Sequence, residues 1–133
     1  MARGDRIPFL ASRTLVTVPV VLNGVEEVPL IVDSGAERMV ISTGAAALLG
    51  FDLSAPVRRE PLIGVGQSVA VPVVRLSQVQ VGTSIVTGLL ASVYDLAPVF
   101  RAEGLLGLNV LRRFRVTFEF DTRTLVLRSP PAR

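Results

Sequence analysis

Val28-Pro29-Leu30-Ile31-Val32-Asp33-Ser34-Gly35-Ala36 is an apolar run that ends on a carboxylate, a hydroxyl and a glycine. The run is short and nearly continuous in apolar residues, as expected of a strand buried on both faces near its end. Gly35 then permits a tight turn. The tetrapeptide Asp33-Ser34-Gly35-Ala36 therefore holds one carboxylate where a buried strand stops, a position suited to the bottom of a cleft. Taken alone, it also fits a plain β-turn in which Asp and Ser cap local N–H groups.

Outward from this stretch the chain reads as short strands joined by turns. Upstream, Thr14 to Leu22 is rich in β-branched residues, and Asn23-Gly24 is a hairpin signal that sends Val25 to Asp33 back as its partner. Pro29 lacks a ladder donor, which predicts an edge or a bulge there. Downstream, Met39-Val40-Ile41 is a short strand. Ser42 or Thr43 can cap a helix over Gly44 to Leu49, with Gly50 as its stop. Glu60 to Val74 reads as a hairpin with Gly64-Val65-Gly66 between its arms. Val79 and Val81 alternate with Gln78 and Gln80 in a separate strand ending at Gly82, and Ile85 to Tyr94 is another. Asp95 to Glu103 is a loop. Leu105 to Arg113 ends in a helical turn. Arg115 to Asp121 alternates, with Val116, Phe118 and Phe120 on one face, and Thr124 to Arg128 pairs back. Residues 1–12 and 129–133 read as terminal arms, the first a loose one. The expectation is one all-β domain over residues 1–133, a closed or partly closed barrel with one or two short helices, since closure removes exposed strand edges.

Composition narrows the chemistry. Half of the residues are hydrophobic, enough for a core. Cysteine and histidine are absent, and every basic residue is arginine. Disulfides, thiolate or imidazole metal sites and Ser-His-Asp or Cys-His catalysis are thereby excluded within the chain. Acid–base catalysis falls to Asp, Glu or Tyr. No metal and no cofactor is expected. The net charge of +3 is small, and the arginines are scattered apart from Arg58-Arg59 and Arg112-Arg113-Phe114-Arg115. Without a basic stripe or interleaved aromatics, no nucleic-acid partner is expected. No run reaches the ~18–20 apolar residues of a membrane span. Met1 to Arg6 lacks the apolar stretch of a signal peptide. The chain reads as cytoplasmic, or as a piece of a larger precursor or anchored protein.

Three features accompany the Asp33 turn, in a fixed order. A Val-Ile-Ser strand follows it, the Gly64-Val65-Gly66 hairpin lies about thirty residues on, and Leu105-Leu106-Gly107 precedes a short helix and a terminal hairpin. In that order they resemble the aspartic proteases of the retroviral, or retropepsin-like, type, and more specifically their bacterial and cellular single-domain members. The resemblance runs from about Leu15 to Leu127.

The resemblance implies an aspartic endopeptidase. In such enzymes two carboxyl groups share a proton and activate a water between them. This chain has a single Asp-Ser-Gly, and Asp5, Asp52, Asp95 and Asp121 lack that context. The resemblance thus implies a homodimer in which each subunit contributes one Asp33. It implies that Ser34 stiffens the paired turns and that Gly35 lets a substrate backbone approach. Ala36, Glu37 and Arg38 would line substrate subsites, with Arg38 favouring acidic or polar substrate neighbours. Gly64, Val65 and Gly66 would form a flap over a bound peptide, where the residues alone fit an ordinary hairpin loop as well. Retroviral enzymes often carry Arg directly after the second glycine. Here Leu108 and Asn109 follow Gly107, so the usual ion pair is missing or supplied by another arginine such as Arg112. The alternative reading is a catalytically inactive dimerisation or peptide-binding module on the same fold, because fold alone does not secure activity.

Overall fold

The structure is a computed structural model that describes residues 4–12, 15–64 and 67–130. Its framework is the hairpin of β3 (Leu15–Leu22) and β4 (Glu26–Val32). Asn23 and Gly24 both take positive φ, 53° and 69°, and the Val25 N–H closes the turn on the Leu22 carbonyl at 3.0 Å. These dihedrals match the twist of paired strands, which is why Asn-Gly serves here. Val16, Val18, Val20 and Leu22 of β3 alternate into the core beside Leu30 of β4.

Pro29 does not mark an edge. β4 lies inside an eight-stranded sheet, and Pro29 stands directly opposite Pro19 of β3, both facing outward. Neither residue has an N–H to offer, so pairing them keeps both missing donors at one register position. The Pro29 carbonyl is still used, accepting the Glu103 N–H at 2.7 Å.

The same sheet contains β2 (Leu10–Ser12), β5 (Met39–Ile41), β6 (Arg58–Gly64), β7 (Gln67–Val81), β8 (Ser84–Val93) and β9 (Gly104–Leu106). The order is β2-β3-β4-β9-β5-β8-β7-β6, and an added pairing of β3 with β7 partly closes it into a barrel. Asn23 helps there, its Oδ1 accepting the Ser77 N–H at 2.8 Å. β7 is one strand of fifteen residues, not two. Leu76 is buried between outward Arg75 and Ser77, and although the buried positions shift from Val74 and Leu76 to Val79 and Val81 across Ser77 and Gln78, pairing with β8 runs on through this polar stretch.

Helix α1 (Thr43–Leu48) is capped by Ser42, whose Oγ accepts the Ala45 N–H at 3.0 Å, and Gly50 ends the segment at φ 84°. A 3-10 turn, Pro98–Phe100, interrupts the loop before β9, and α2 (Leu108–Leu111) follows Gly107. Among the described residues no helix is long and apolar enough to cross a membrane.

The segment expected to be a loose N-terminal arm is paired. β1 (Asp5–Pro8) joins β11 (Thr124–Arg128), which pairs with β10 (Arg115–Glu119) in a second sheet of three strands. Asp5 also accepts the Thr83 and Ser84 N–H groups at 2.7 and 2.9 Å, fastening this sheet to the β7–β8 turn. Val116 packs against the core as its alternation predicts, whereas Phe118 and Phe120 stay exposed and stack on each other with centroids 5.8 Å apart.

Candidate active site

Asp33 is positioned by β4 on one side and β9 on the other. β4 and β9 run parallel, with Ile31 opposite Leu105 and Val32 opposite Leu106. The Asp33 N–H continues that ladder onto the Leu106 carbonyl at 3.0 Å. Past this point the chain turns back on itself. The Gly35 N–H donates to Asp33 Oδ1 at 2.8 Å, and the Leu108 N–H donates to the Ala36 carbonyl at 2.8 Å. A carboxylate oxygen held by a backbone donor is fixed in direction, and the turn is fixed in turn by the start of α2.

The contact with Gly107 explains the second glycine. A Cβ there would lie 2.6 Å from the Arg38 carbonyl oxygen and 2.8 Å from that of Ala36. The Asp33 turn and the Leu105-Leu106-Gly107 segment are therefore two halves of one packed unit. Asn109 completes it. Its Oδ1 accepts the Met39 N–H at 2.9 Å, and its Nδ2 donates to the Leu90 carbonyl at 2.8 Å.

Asp33 opens onto a cleft of about 580 Å³. Gly35, Ala36, Glu37 and Arg38 line it beside Asp33. One wall is built from Pro61 and Leu62 of β6 with Val69 of β7, the other from Tyr94 and Leu96. Ser34 is exposed and is not part of the lining. Gly64 ends β6, and Val65 and Gly66 lie outside the described residues.

Of the two alternatives for the arginine after the second glycine, the described residues favour a missing pair, since Arg112 is exposed and makes no ion pair among them. Asn109 occupies that part of the fold with neutral hydrogen bonds. Arg38 does not present its charge to the cleft alone, because its guanidinium pairs with Glu60 of β6. The Arg38 hydrogen bond, helped by Arg58, holds the Glu60 carboxyl below its usual range, with partial burial opposing. Among the described residues the turn leaves two acidic side chains without an ion pair, Asp33 and exposed Glu37.

The sequence profile of the aspartyl protease family matches residues 18–110. The chain belongs to that family. No curated protein matches it in sequence. Two solved structures show what an aspartyl protease chain of this shape is similar to. One is the crystal structure of a retropepsin-like aspartic protease from Rickettsia conorii, with a TM-score of 0.68 at 22% identity over 96% of this chain and 94% of that one. The other is the crystal structure of the retroviral protease-like domain of Ddi1 from Leishmania major, with a TM-score of 0.58 at 21% identity over 90% of this chain and 97% of that one. The fold of this aspartyl protease family member is retropepsin-like: mostly β, partly closed, with two short helices.

Pro61, Leu62, Val69, Tyr94, Leu96, Glu60 and Asn109 escaped the sequence reading. The first five are ordinary strand or loop residues whose shared feature, a place on the cleft wall, is tertiary. Asn109 carried a signal: a polar residue in an apolar segment, one place after the position where an arginine was missing.

Proposed function

We propose that the chain is a homodimeric aspartic endopeptidase whose active site combines two Asp33 carboxyls, one from each subunit. The observation that carries this reading is the isolation of Asp33 at the base of the cleft. Asp5 binds the β7–β8 turn, Asp52 caps Ser54, and Asp95 binds Thr43 at the start of α1. Asp121 sits exposed in the β10–β11 connection. None of these stands beside Asp33 in the cleft lining. Glu37 also lines the cleft but stands exposed in the turn, outside the Asp-Ser-Gly context, so the resemblance favours a second Asp33, from a second copy about a twofold axis, as the partner carboxyl that amide hydrolysis calls for.

The chemistry is then a proton exchange between the paired carboxyls. At ~3 Å separation the two cannot both remain ionised, and they hold one proton between them. The ionised carboxyl takes a proton from water as the water oxygen bonds to the peptide carbonyl carbon. The protonated carboxyl gives its proton to the carbonyl oxygen. Collapse of the tetrahedral diol returns a proton to the amide nitrogen, the C–N bond breaks, and the dyad regains its single proton. Ser34 stiffens the paired turns, and Gly35 leaves room for the substrate backbone. Ala36, Glu37 and Arg38 line subsites, and the β6–β7 hairpin lies along the peptide with Gly64 near its tip.

A mass-spectrometric profile of cleaved peptide libraries, run beside Asp33→Ala, tests the proposal. Cleavage at defined bonds by the wild type and none by the variant is expected. Cleavage that survives Asp33→Ala, or no cleavage by a verified dimer, would reject it in favour of an inactive peptide-binding module.

A further inference from the structure

β6 is an edge strand. Its ladder partner is β7 alone, and it carries Pro61 and Leu62 of the cleft wall. An edge strand held on one side moves more easily than the sheet behind it. Among the described residues two side-chain hydrogen bonds or ion pairs tie β6 to something outside its own hairpin. Arg59 reaches the Leu53 carbonyl at 3.2 Å on the outer flank. Glu60 pairs with Arg38, and of the two only this contact reaches the turn that bears Asp33, beside Pro61 and Leu62 of the cleft wall.

The two ends of that contact differ in rigidity. The Arg38 main chain is pinned, with its carbonyl packed over Gly107 and the next residue, Met39, bonded to Asn109. Both charged side chains are about three-quarters buried, 24% and 26% exposed, whereas Arg6 in the Arg6–Glu119 pair is 52% exposed. Less water around the pair means weaker screening by salt. Arg58 holds the other Glu60 oxygen from within β6, which fixes the direction in which the carboxylate faces Arg38. The pair therefore acts from a fixed anchor on a movable strand.

We propose that Arg38 and Glu60 are positioning residues that brace β6 across the cleft and set its width for an extended peptide; this rests on the peptidase reading above. The brace occupies the Arg38 guanidinium, so this end of the cleft recognises a peptide through shape and through Glu37, not through a bare arginine. Losing either partner widens the cleft and weakens substrate binding without touching the carboxyls that do the chemistry.

A double-mutant cycle tests the brace: Arg38→Gln, Glu60→Gln and the double variant, with hydrogen exchange read by mass spectrometry over residues 58–62 and 68–73. Each single change should speed exchange there by about two- to fivefold, and the double change should be no faster than either. With a cleaved peptide, the same variants should raise KM more than they lower kcat. Additive effects, unchanged exchange, or a loss confined to kcat would overturn the proposal. The exchange cycle is repeated in Asp33→Asn, where no cleavage is needed. Coupling there, with a wild type that cleaves nothing, would sink the peptidase reading and leave the brace standing. Cleavage with no coupling would do the reverse.

Discussion

Asn109 holds Met39: its Oδ1 accepts the Met39 N–H at 2.9 Å and so fastens the helix after the second glycine to the strand after the Asp33 turn. Met39 is fully buried, so this donor has no water to fall back on. Asn109→Leu keeps the branched outline and removes both this bond and the one to the Leu90 carbonyl. The expected loss is about 1–3 kcal/mol of stability. A lower denaturant midpoint with unchanged slope checks it. An unchanged midpoint would mean that neither bond matters.

Gly107→Ala tests the packing of the two motifs against each other. The new methyl meets the Arg38 and Ala36 carbonyls at 2.6 and 2.8 Å, both backbone and neither able to swing aside. Its φ of −97° is ordinary, so the cost comes from space alone. A loss of roughly 1–3 kcal/mol is expected from overpacking. Any peptidase activity should fall further than stability does, because the shift is delivered to the Asp33 turn. A variant with wild-type melting and wild-type turnover would show that the turn tolerates displacement.

The proposed shared dyad makes a quantitative demand on mixed dimers. Asp33→Asn should fold and should not cleave, since the amide neither takes nor gives the needed proton. Equal amounts of wild-type and variant chains, allowed to exchange subunits, leave only about a quarter of dimers with two carboxyls. Activity per wild-type chain should settle at roughly half. Activity that stays level after verified exchange would mean that each subunit works alone.

Acid should loosen the contact between Glu60 and Arg38. The Glu60 carboxyl lies below its ordinary value of 4.5 in the folded chain, chiefly through the Arg38 hydrogen bond. A lowered folded value means that the unfolded chain binds the proton more readily. The stabilisation is therefore complete above about pH 4.5 and is lost as pH falls through the lowered value. Thermal melts from pH 6 downward should fall less steeply for Glu60→Gln than for the wild type. Parallel curves would remove Glu60 from the acid transition.

What could be read from the sequence was local. The Asn23-Gly24 hairpin, the strand Met39–Ile41 and the cap at Ser42 follow from turn chemistry and short periodic runs, and each stands where those rules put it. The turn at Asp33 was legible for the same reason. What was not legible depends on partners distant in the chain. Asp5 to Pro8 has a single buried apolar side chain, Ile7, and becomes a strand because β11 pairs with it and Asp5 meets the β7–β8 turn. Glu60 has no periodic relation to Arg38. Pro29 misled because its missing donor is accommodated by a facing proline, which no window on one strand reveals.

The parallel pairing of Ile31 with Leu105 has a consequence for how the protein is made. Pairings this remote along a chain form late, after a long loop has been closed. A chain emerging from the ribosome exposes Asp33 while Leu106, Gly107 and Asn109 are still to be translated. During that interval the carboxylate has no ladder bond to Leu106, no packed glycine beneath its turn and no asparagine securing the next strand. Synthesis order thus leaves the Asp33 turn unsupported in the nascent chain until Leu106, Gly107 and Asn109 have emerged.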